Sequence, residues 1–247
     1  MIIPKLMGRM GNQMFQIAAC AGYAKKHGID YCIPKTTVAP KVWEAYFAHL
    51  SNCHHNGLRN PVLLKETEHS YQELPAPASD DDIVLEGYWQ SEKYFSHCKE
   101  HIQDLFYPEW EMKKGIIGVH IRRGDYLQYP DKHISPTKEY IIEAMMILTI
   151  VSEDWDFLFF SDDIQFCKDN FSHISSVSFS ENKTPIEDLK ELASCEHMIG
   201  SASSFSWWGH YLNRNPNKIG VFPKIWFGEG NSHLSTKDIY PEGCVKI

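Results

Sequence analysis

The stretch Gly118-Val119-His120-Ile121-Arg122-Arg123-Gly124-Asp125-Tyr126 sets two guanidinium groups, an imidazole and a carboxylate at what reads as the end of a buried strand. A planar guanidinium fork can meet two phosphate oxygens at once and stays charged at any working pH, so it suits an anion that is first held and then released. Strand alternation puts His120 and Arg122 on one side and Arg123 on the other. Arg122 is therefore the first choice for a phosphate contact, and Arg123 and Asp125 are expected to form a loop ion pair. A second strand tip, Phe159-Phe160-Ser161-Asp162-Asp163, ends abruptly in two carboxylates. Asp162 can accept from a ribose hydroxyl or from the N1 and N2 donors of guanine. Equally, Ser161 or Asp162 can cap the helix that follows. A third tip, Gly200-Ser201-Ala202-Ser203-Ser204-Phe205-Ser206-Trp207-Trp208-Gly209, leads small hydroxyl residues into a helix. Backbone N–H groups and the helix dipole there make an anion cradle, while Trp207 and Trp208 read mostly as helix core.

Near the start, Gly8-Arg9-Met10-Gly11-Asn12-Gln13 is a glycine turn into a helix. It lacks the third glycine of a dinucleotide fingerprint and the lysine of a P-loop. The cautious reading is a cleft wall in which Asn12 and Gln13 offer donors and acceptors to a sugar. No His/Asp/Glu set has metal-ligand spacing, and no GxSxG or Cys/His arrangement points to a hydrolase. The missing fingerprint also ranks a nucleotide-dependent oxidoreductase far behind.

The elements that must position these residues alternate between strand and helix. A strand from Ile2 to Leu6 precedes a helix from about Asn12 to His27, Gly28 closes that helix, and a parallel strand is expected at 31–33. Residues 36–80 look irregular, with a short helix around 43–47 and a surface loop near Pro75, Pro77 and Asp80. A strand at 83–86 is expected to lead into a helix running to about Phe106. Beyond a boundary near 107–114, strands are expected at 116–121, 157–161, 176–179, 197–200 and 218–222, with helices at 136–151, 163–170, 184–195 and 204–213. This is an α/β chain with a five-strand doubly wound sheet in its second part. The economical picture is two Rossmann-like halves facing a cleft, residues 1–110 and 111–247, the last residues returning to the first half.

Bulk properties narrow the partners. The 247 residues carry 24 Lys and Arg against 32 Asp and Glu, a formal charge of −8, which disfavours broad attraction to nucleic acid or anionic lipid. Any bound anion needs a local cationic cluster. No apolar run approaches the ~18 residues of a membrane span, so a cytoplasmic protein is expected, with room for peripheral membrane association. Seven cysteines, an odd number without a CxxC pair, are expected to be reduced, with Cys20, Cys167 and Cys195 as small helix-core residues.

Taken in order, GRMGNQMFQ at 8–16, GYWQSEKYF at 87–95, HIRRGDY at 120–126, HISPTKEY at 133–140, FSDD at 160–163 and SSFSWWGHYLN at 203–213 resemble the α-1,2-fucosyltransferases of glycosyltransferase family 11. HIRRGDY also resembles the donor-site motif of α-1,6- and protein O-fucosyltransferases. The resemblance implies a GT-B-like fold, GDP-fucose as donor, inversion at the fucose anomeric carbon, a galactose-containing acceptor, and neither a metal nor a separate cofactor. It implies that Arg122 meets the donor diphosphate with His120 beside it, that Asp162 lies near the guanosine, and that Ser204, Phe205 and Ser206, with Ser203, form the phosphate cradle. Arg123, Gly11 and Gln13 join the expected donor site, and Asn12 would face the fucose or the reacting centre. Asp125, Glu92 or His120 would serve as general base. The 36–80 region matches poorly, so the acceptor is the least defined partner. The remaining alternatives are another linkage or a protein acceptor, and a GDP-sugar-binding protein without catalysis.

Overall fold

A computed structural model of the chain describes residues 1–33, 50, 58–78, 81–107, 109–150 and 154–247. They gather into two compact units, Met1–Pro108 with Ser235–Tyr240, and Glu109–Leu234 with Pro241–Ile247. Each unit holds an all-parallel sheet, three strands in the first and six in the second. No helix among the described residues is long and apolar enough to cross a membrane.

In the first unit β1 (Ile2–Pro4), β2 (Val62–Lys65) and β3 (Ile83–Glu86) lie in the order β1-β3-β2. Helix α1 (Met10–His27) follows β1 and ends where Gly28 turns left-handed at φ 64°. The expected strand at 31–33 shrinks to one parallel bridge between Tyr31 and Ile2, with Cys32 N–H donating to the Ile2 carbonyl at 2.9 Å. β2 falls in the stretch read as irregular. Its Val62 and Leu63 are exposed, so no buried alternation marks it. The short helix expected around 43–47 lies outside the described residues.

The helix expected from Gly87 to Phe106 is broken into the 3₁₀ turns Glu92–Tyr94 and Ser96–Cys98, followed by α2 (Lys99–Phe106). The cause is Phe95, fully buried, whose backbone at φ −141° lets its ring reach Phe15 of α1. α1 accommodates this packing at Gly22, where a Cβ would stand 2.5 Å from the Tyr94 carbonyl oxygen. Among the described cysteines, Cys32 alone is disulfide-bonded, a correction to the reduced state expected throughout.

In the second unit β4 (Lys113–Ile121), β5 (Asp156–Ser161), β6 (Val177–Phe179), β7 (Cys195–Ile199), β8 (Gly220–Phe222) and β9 (Val245–Lys246) run in the order β6-β5-β4-β7-β8-β9. The sheet has six strands rather than five because Val245 and Lys246, both exposed, add a short edge that no hydrophobic pattern announces. Four helices connect the strands: α3 (Lys138–Thr149), α4 (Ile164–Phe171), α5 (Pro185–Ser194) and α6 (Ser204–Leu212). Each starts on a hydroxyl or carboxylate cap, Thr137, Asp163, Thr184 and Ser203 in turn. Cys195 opens β7 rather than lying in a helix.

β4 is the central strand, and its alternation sorts chemistry from core. Ile117, Val119 and Ile121 join a cluster with Ile141 and Leu148 of α3 and Phe171 of α4. Gly118 and His120 face the opposite side, where a Cβ on Gly118 would meet Leu192 of α5 at 2.7 Å. The strand thus delivers His120 and the residues after Ile121 to one end of the sheet.

Gly22→Ala is expected to destabilise the protein by about 1–3 kcal/mol through overpacking against backbone that cannot give way, measured by urea unfolding. A variant as stable as the parent would show that the α1 contact relaxes freely.

Candidate functional site

Arg122 leaves the end of β4 with its side chain only 15% exposed, and its guanidinium meets two carboxylates. Nη1 pairs with Asp162 Oδ2 at 2.6 Å and Nη2 with Asp125 Oδ1. The loop pair expected between Arg123 and Asp125 is therefore not formed. Arg123 turns to the other side, donating from Nε to Asp163 Oδ2 at 3.0 Å and lying 3.6 Å above the Phe166 ring. Two guanidinium groups thus stand against three carboxylates, so the cluster carries one excess negative charge.

Of the two roles left open for Asp162 by its sequence, the helix cap is not the one it takes. Asp163 caps α4 instead, accepting from Phe166 N–H. Asp162 Oδ1 accepts the backbone N–H groups of Arg123 at 2.9 Å and Gly124 at 3.2 Å. Only glycine fits at 124, since a Cβ there would lie 2.3 Å from Asp162 Oδ2. Ser161 completes the join by donating its hydroxyl to the Ile121 carbonyl at 2.7 Å.

The third tip, between β7 and α6, is tied to β4 through a ring of hydroxyls. Ser201 Oγ accepts from Arg122 N–H at 2.9 Å and donates to the His120 carbonyl at 2.7 Å. Ser201 N–H donates to Ser206 Oγ at 2.9 Å, and Ser206 Oγ lies 2.7 Å from His120 Nδ1. Ser203 caps the helix by accepting from Phe205 N–H at 3.2 Å. Ser203 and Ser206 are both buried, with their hydroxyls committed to the cap and to the ring of hydrogen bonds. Ser204 and Phe205 remain partly exposed at the helix start, and the Phe205 ring stacks on His120 at 4.7 Å. Trp207 and Trp208 are fully buried core.

His120 is 5% exposed, and burial, with the Arg122 charge adding to it, drives its pKa down from 6.5 to about 3. A neutral imidazole so placed orients Ser206, and its lowered pKa makes it a weak proton acceptor. Two tyrosines that the strand-tip reasoning passed over fasten the same loops. Tyr126 donates its hydroxyl to the Ala202 carbonyl at 3.0 Å and stacks on His133 at 4.4 Å. Tyr140 donates to the Gly200 carbonyl at 2.7 Å. Both belong to the HIRRGDY and HISPTKEY stretches, the signal by which they could have been found.

In the first unit, glutamines on α1 hold the loop before it. Gln16 exchanges two hydrogen bonds with the backbone of Met7, and Gln13 Nε2 donates to the Gly8 carbonyl at 3.0 Å. Gln13 is 1% exposed and Gly11 is buried at the start of α1. Asn12 is partly exposed and accepts at Oδ1 from Gln90 Nε2 at 2.8 Å. Glu92, the third expected base, lies in this unit beside Lys99 at 3.4 Å.

The depressed His120 pKa carries a stability signature. The unfolded chain takes up a proton near pH 6.5 that the folded chain refuses until about pH 3, so this contribution is complete above 6.5 and is lost as the pH falls. His101, His133 and His197, all lowered chiefly by burial, act in the same direction. Urea unfolding between pH 6.5 and 4.5 is expected to show stability falling, and His120→Gln to flatten that slope by up to about 1.4 kcal/mol per pH unit. An unchanged slope would place the titration elsewhere.

The sequence compares directly with known proteins. The model of glycosyl transferase family 11 matches residues 3–242. An alpha-1,2-colitosyltransferase of Escherichia coli is 29% identical over 289 aligned positions, covering 100% of this chain and 98% of that protein. Galactoside alpha-(1,2)-fucosyltransferase 1 of Alouatta caraya is 26% identical over 83% of this chain, which spans 63% of that protein's length. Among solved structures, POFUT1 in complex with GDP aligns over 90% of this chain and 97% of its own with a TM-score of 0.49 at 12% identity. With a family match running from the first strand almost to the last residues, the chain belongs to glycosyl transferase family 11.

Proposed function

We propose that this glycosyltransferase moves L-fucose from GDP-fucose to the 2-hydroxyl of a galactose in a glycan acceptor, with inversion and without a metal ion. The proposed framework is GT-B-like, with residues 1–110 on the acceptor side and 111–247 binding the donor. The observation that carries the reading is Arg122, a largely buried guanidinium at the carboxyl end of a central parallel strand, tied through Ser201 to the start of α6. In open parallel sheets this is where ligands bind. Family membership and the fucosyl and colitosyl activities named for the relatives support the same donor class.

The chemistry follows from the charges. The acceptor hydroxyl oxygen forms a bond to the fucose anomeric carbon, the bond from that carbon to the β-phosphate oxygen breaks, and its electron pair leaves with GDP. Arg122 stabilises the charge that develops on the departing oxygen. Because the cluster already carries more carboxylates than guanidiniums, a diphosphate must exchange with a carboxylate rather than add to the site. Asp125 is the natural one to yield, since Asp162 is also held by the Arg123 and Gly124 N–H groups. Once displaced from Arg122, Asp125 is a carboxylate beside the leaving group and can take the proton of the attacking hydroxyl. Arg123, over Phe166, and Ser204 and Phe205 complete the donor side.

A second donor has specific support. The colitosyl relative matches over nearly its whole length, and colitose is the 3-deoxy counterpart of fucose. The two donors differ by one hydroxyl, so a site built to bind that hydroxyl would favour GDP-fucose strongly.

The direct test is GDP release from GDP-fucose and from GDP-colitose, with and without lactose or N-acetyllactosamine, in the presence of a chelator. Acceptor-stimulated release from GDP-fucose that survives chelation is expected, and Arg122→Ala should lower it by about 10²–10³-fold with the fold intact. Near-normal turnover in that variant would remove the diphosphate role. Asp125→Asn should tighten GDP binding by isothermal titration while slowing transfer; weaker GDP binding would contradict the exchange.

A further inference from the structure

The turn after β3 is held in a conformation that its own residues do not favour. Tyr88 and Trp89 donate their backbone N–H groups to the two carboxylate oxygens of Glu66, at 2.7 and 2.9 Å. Trp89 sits at φ 55°, in the left-handed region that a bulky residue rarely enters, and its buried indole N–H has no partner among the described residues. Gly87 backs directly onto Glu66, where a Cβ would stand 2.3 Å from the Glu66 Cβ. Local strain of this kind persists only where the surroundings over-determine it, and it gathers at sites that hold ligands. What the turn delivers is the next residue, Gln90.

Gln90 is half-buried and makes one hydrogen bond, from Nε2 to Asn12 Oδ1 at 2.8 Å, across 78 residues of chain. The bond fixes which way round the Asn12 amide lies. On its other side Asn12 closes against Gly8, itself left-handed at φ 76°, where a Cβ would meet Asn12 Nδ2 at 2.7 Å. Gln90 Oε1 has no partner among the described residues and is not sealed from solvent. An amide with one N–H committed inward and its carbonyl oxygen in the open is suited to a hydroxyl, the group that can donate to that oxygen as an anion cannot.

We propose that Gln90 binds a hydroxyl of the sugar substrate, accepting it at Oε1 while its Nε2 holds the Asn12 amide in the orientation the transfer needs. Glu66 is then a positioning residue that shapes the turn carrying Gln90. The proposal rests on the sugar-transfer reading above. It gives a function to the Gly-Tyr-Trp-Gln turn, which the chemistry at Arg122 leaves unexplained.

The test uses the full chain and compares Gln90→Ala, Gln90→Met, Gln90→Glu, Asn12→Ala and the Gln90→Ala/Asn12→Ala double variant. Gln90→Met keeps the length of the side chain and covers the case in which the alanine variant folds poorly. Gln90→Glu keeps an acceptor oxygen but has no N–H for Asn12. Each Gln90 variant is expected to lower kcat/KM for transfer at least tenfold, with GDP affinity within twofold of the parent, because GDP reports on the Arg122 loop. The double variant should be within about twofold of the worse single variant, showing that the two amides act as one unit. Parent-like transfer in Gln90→Met or Gln90→Glu, or independent, multiplying losses in the double variant, would overturn the proposal while leaving the transferase reading standing. A parent protein that transfers no sugar from any GDP-sugar would overturn both.

Discussion

Asp162 is the carboxylate on which the loop after β4 depends for its shape. One of its oxygens accepts the backbone N–H groups of Arg123 and Gly124, and the other pairs with the Arg122 guanidinium. Charge-assisted hydrogen bonds of this kind contribute about 1.5–3 kcal/mol each, more than a short loop of RRGD composition could supply by itself. The loop after β4 therefore takes its shape from the tip of the neighbouring strand β5. This joint requires Gly124, because any Cβ would occupy the space of the carboxylate. Asp162 is turned toward that loop, and the helix cap falls to Asp163, which accepts from Phe166 N–H.

The other flank of Arg122 is built from neutral groups. His120, Ser201 and Ser206 close a ring of hydrogen bonds between β4 and the start of α6, all of it buried. Buried polar groups are tolerable when each finds a partner, and burial keeps the imidazole uncharged so that it adds no cation beside Arg122. The outcome is a guanidinium with a fixed backbone, oriented by carboxylates on one side and attached to a helix N-terminus on the other. In the proposed reaction the donor diphosphate would meet a guanidinium already in position, with reorganisation limited to the carboxylate it displaces.

Much of this was legible in the sequence because long-range periodicity and strand-tip polarity survive in the linear order. The alternation of β4, the buried run of β5 and the Ser-rich start of α6 located all three tips correctly. Partner choice was not legible. Which of two adjacent aspartates caps a helix, and which arginine takes Asp125, depend on the register that sets Ile121 opposite Ser161. Burial within a motif was equally hidden. Gln13 and Ser206 look like ligand groups by type, yet the helix turn that carries each one points it inward. The strands β2 and β9 escaped because their side chains are exposed, so neither writes a hydrophobic period into the chain. The left-handed Trp89 and the carboxylate clamp at Glu66 leave no local mark at all, since Glu66 and Trp89 are 23 residues apart.

The central claim is that the chain transfers fucose to galactose O2 with inversion, and the measurement closest to it is the NMR structure of the product formed from GDP-β-L-fucose and N-acetyllactosamine. The account predicts a single α-linked fucose with its glycosidic bond on galactose O2. A β-linked product, a bond to any other hydroxyl, or free fucose as the only sugar released would contradict it.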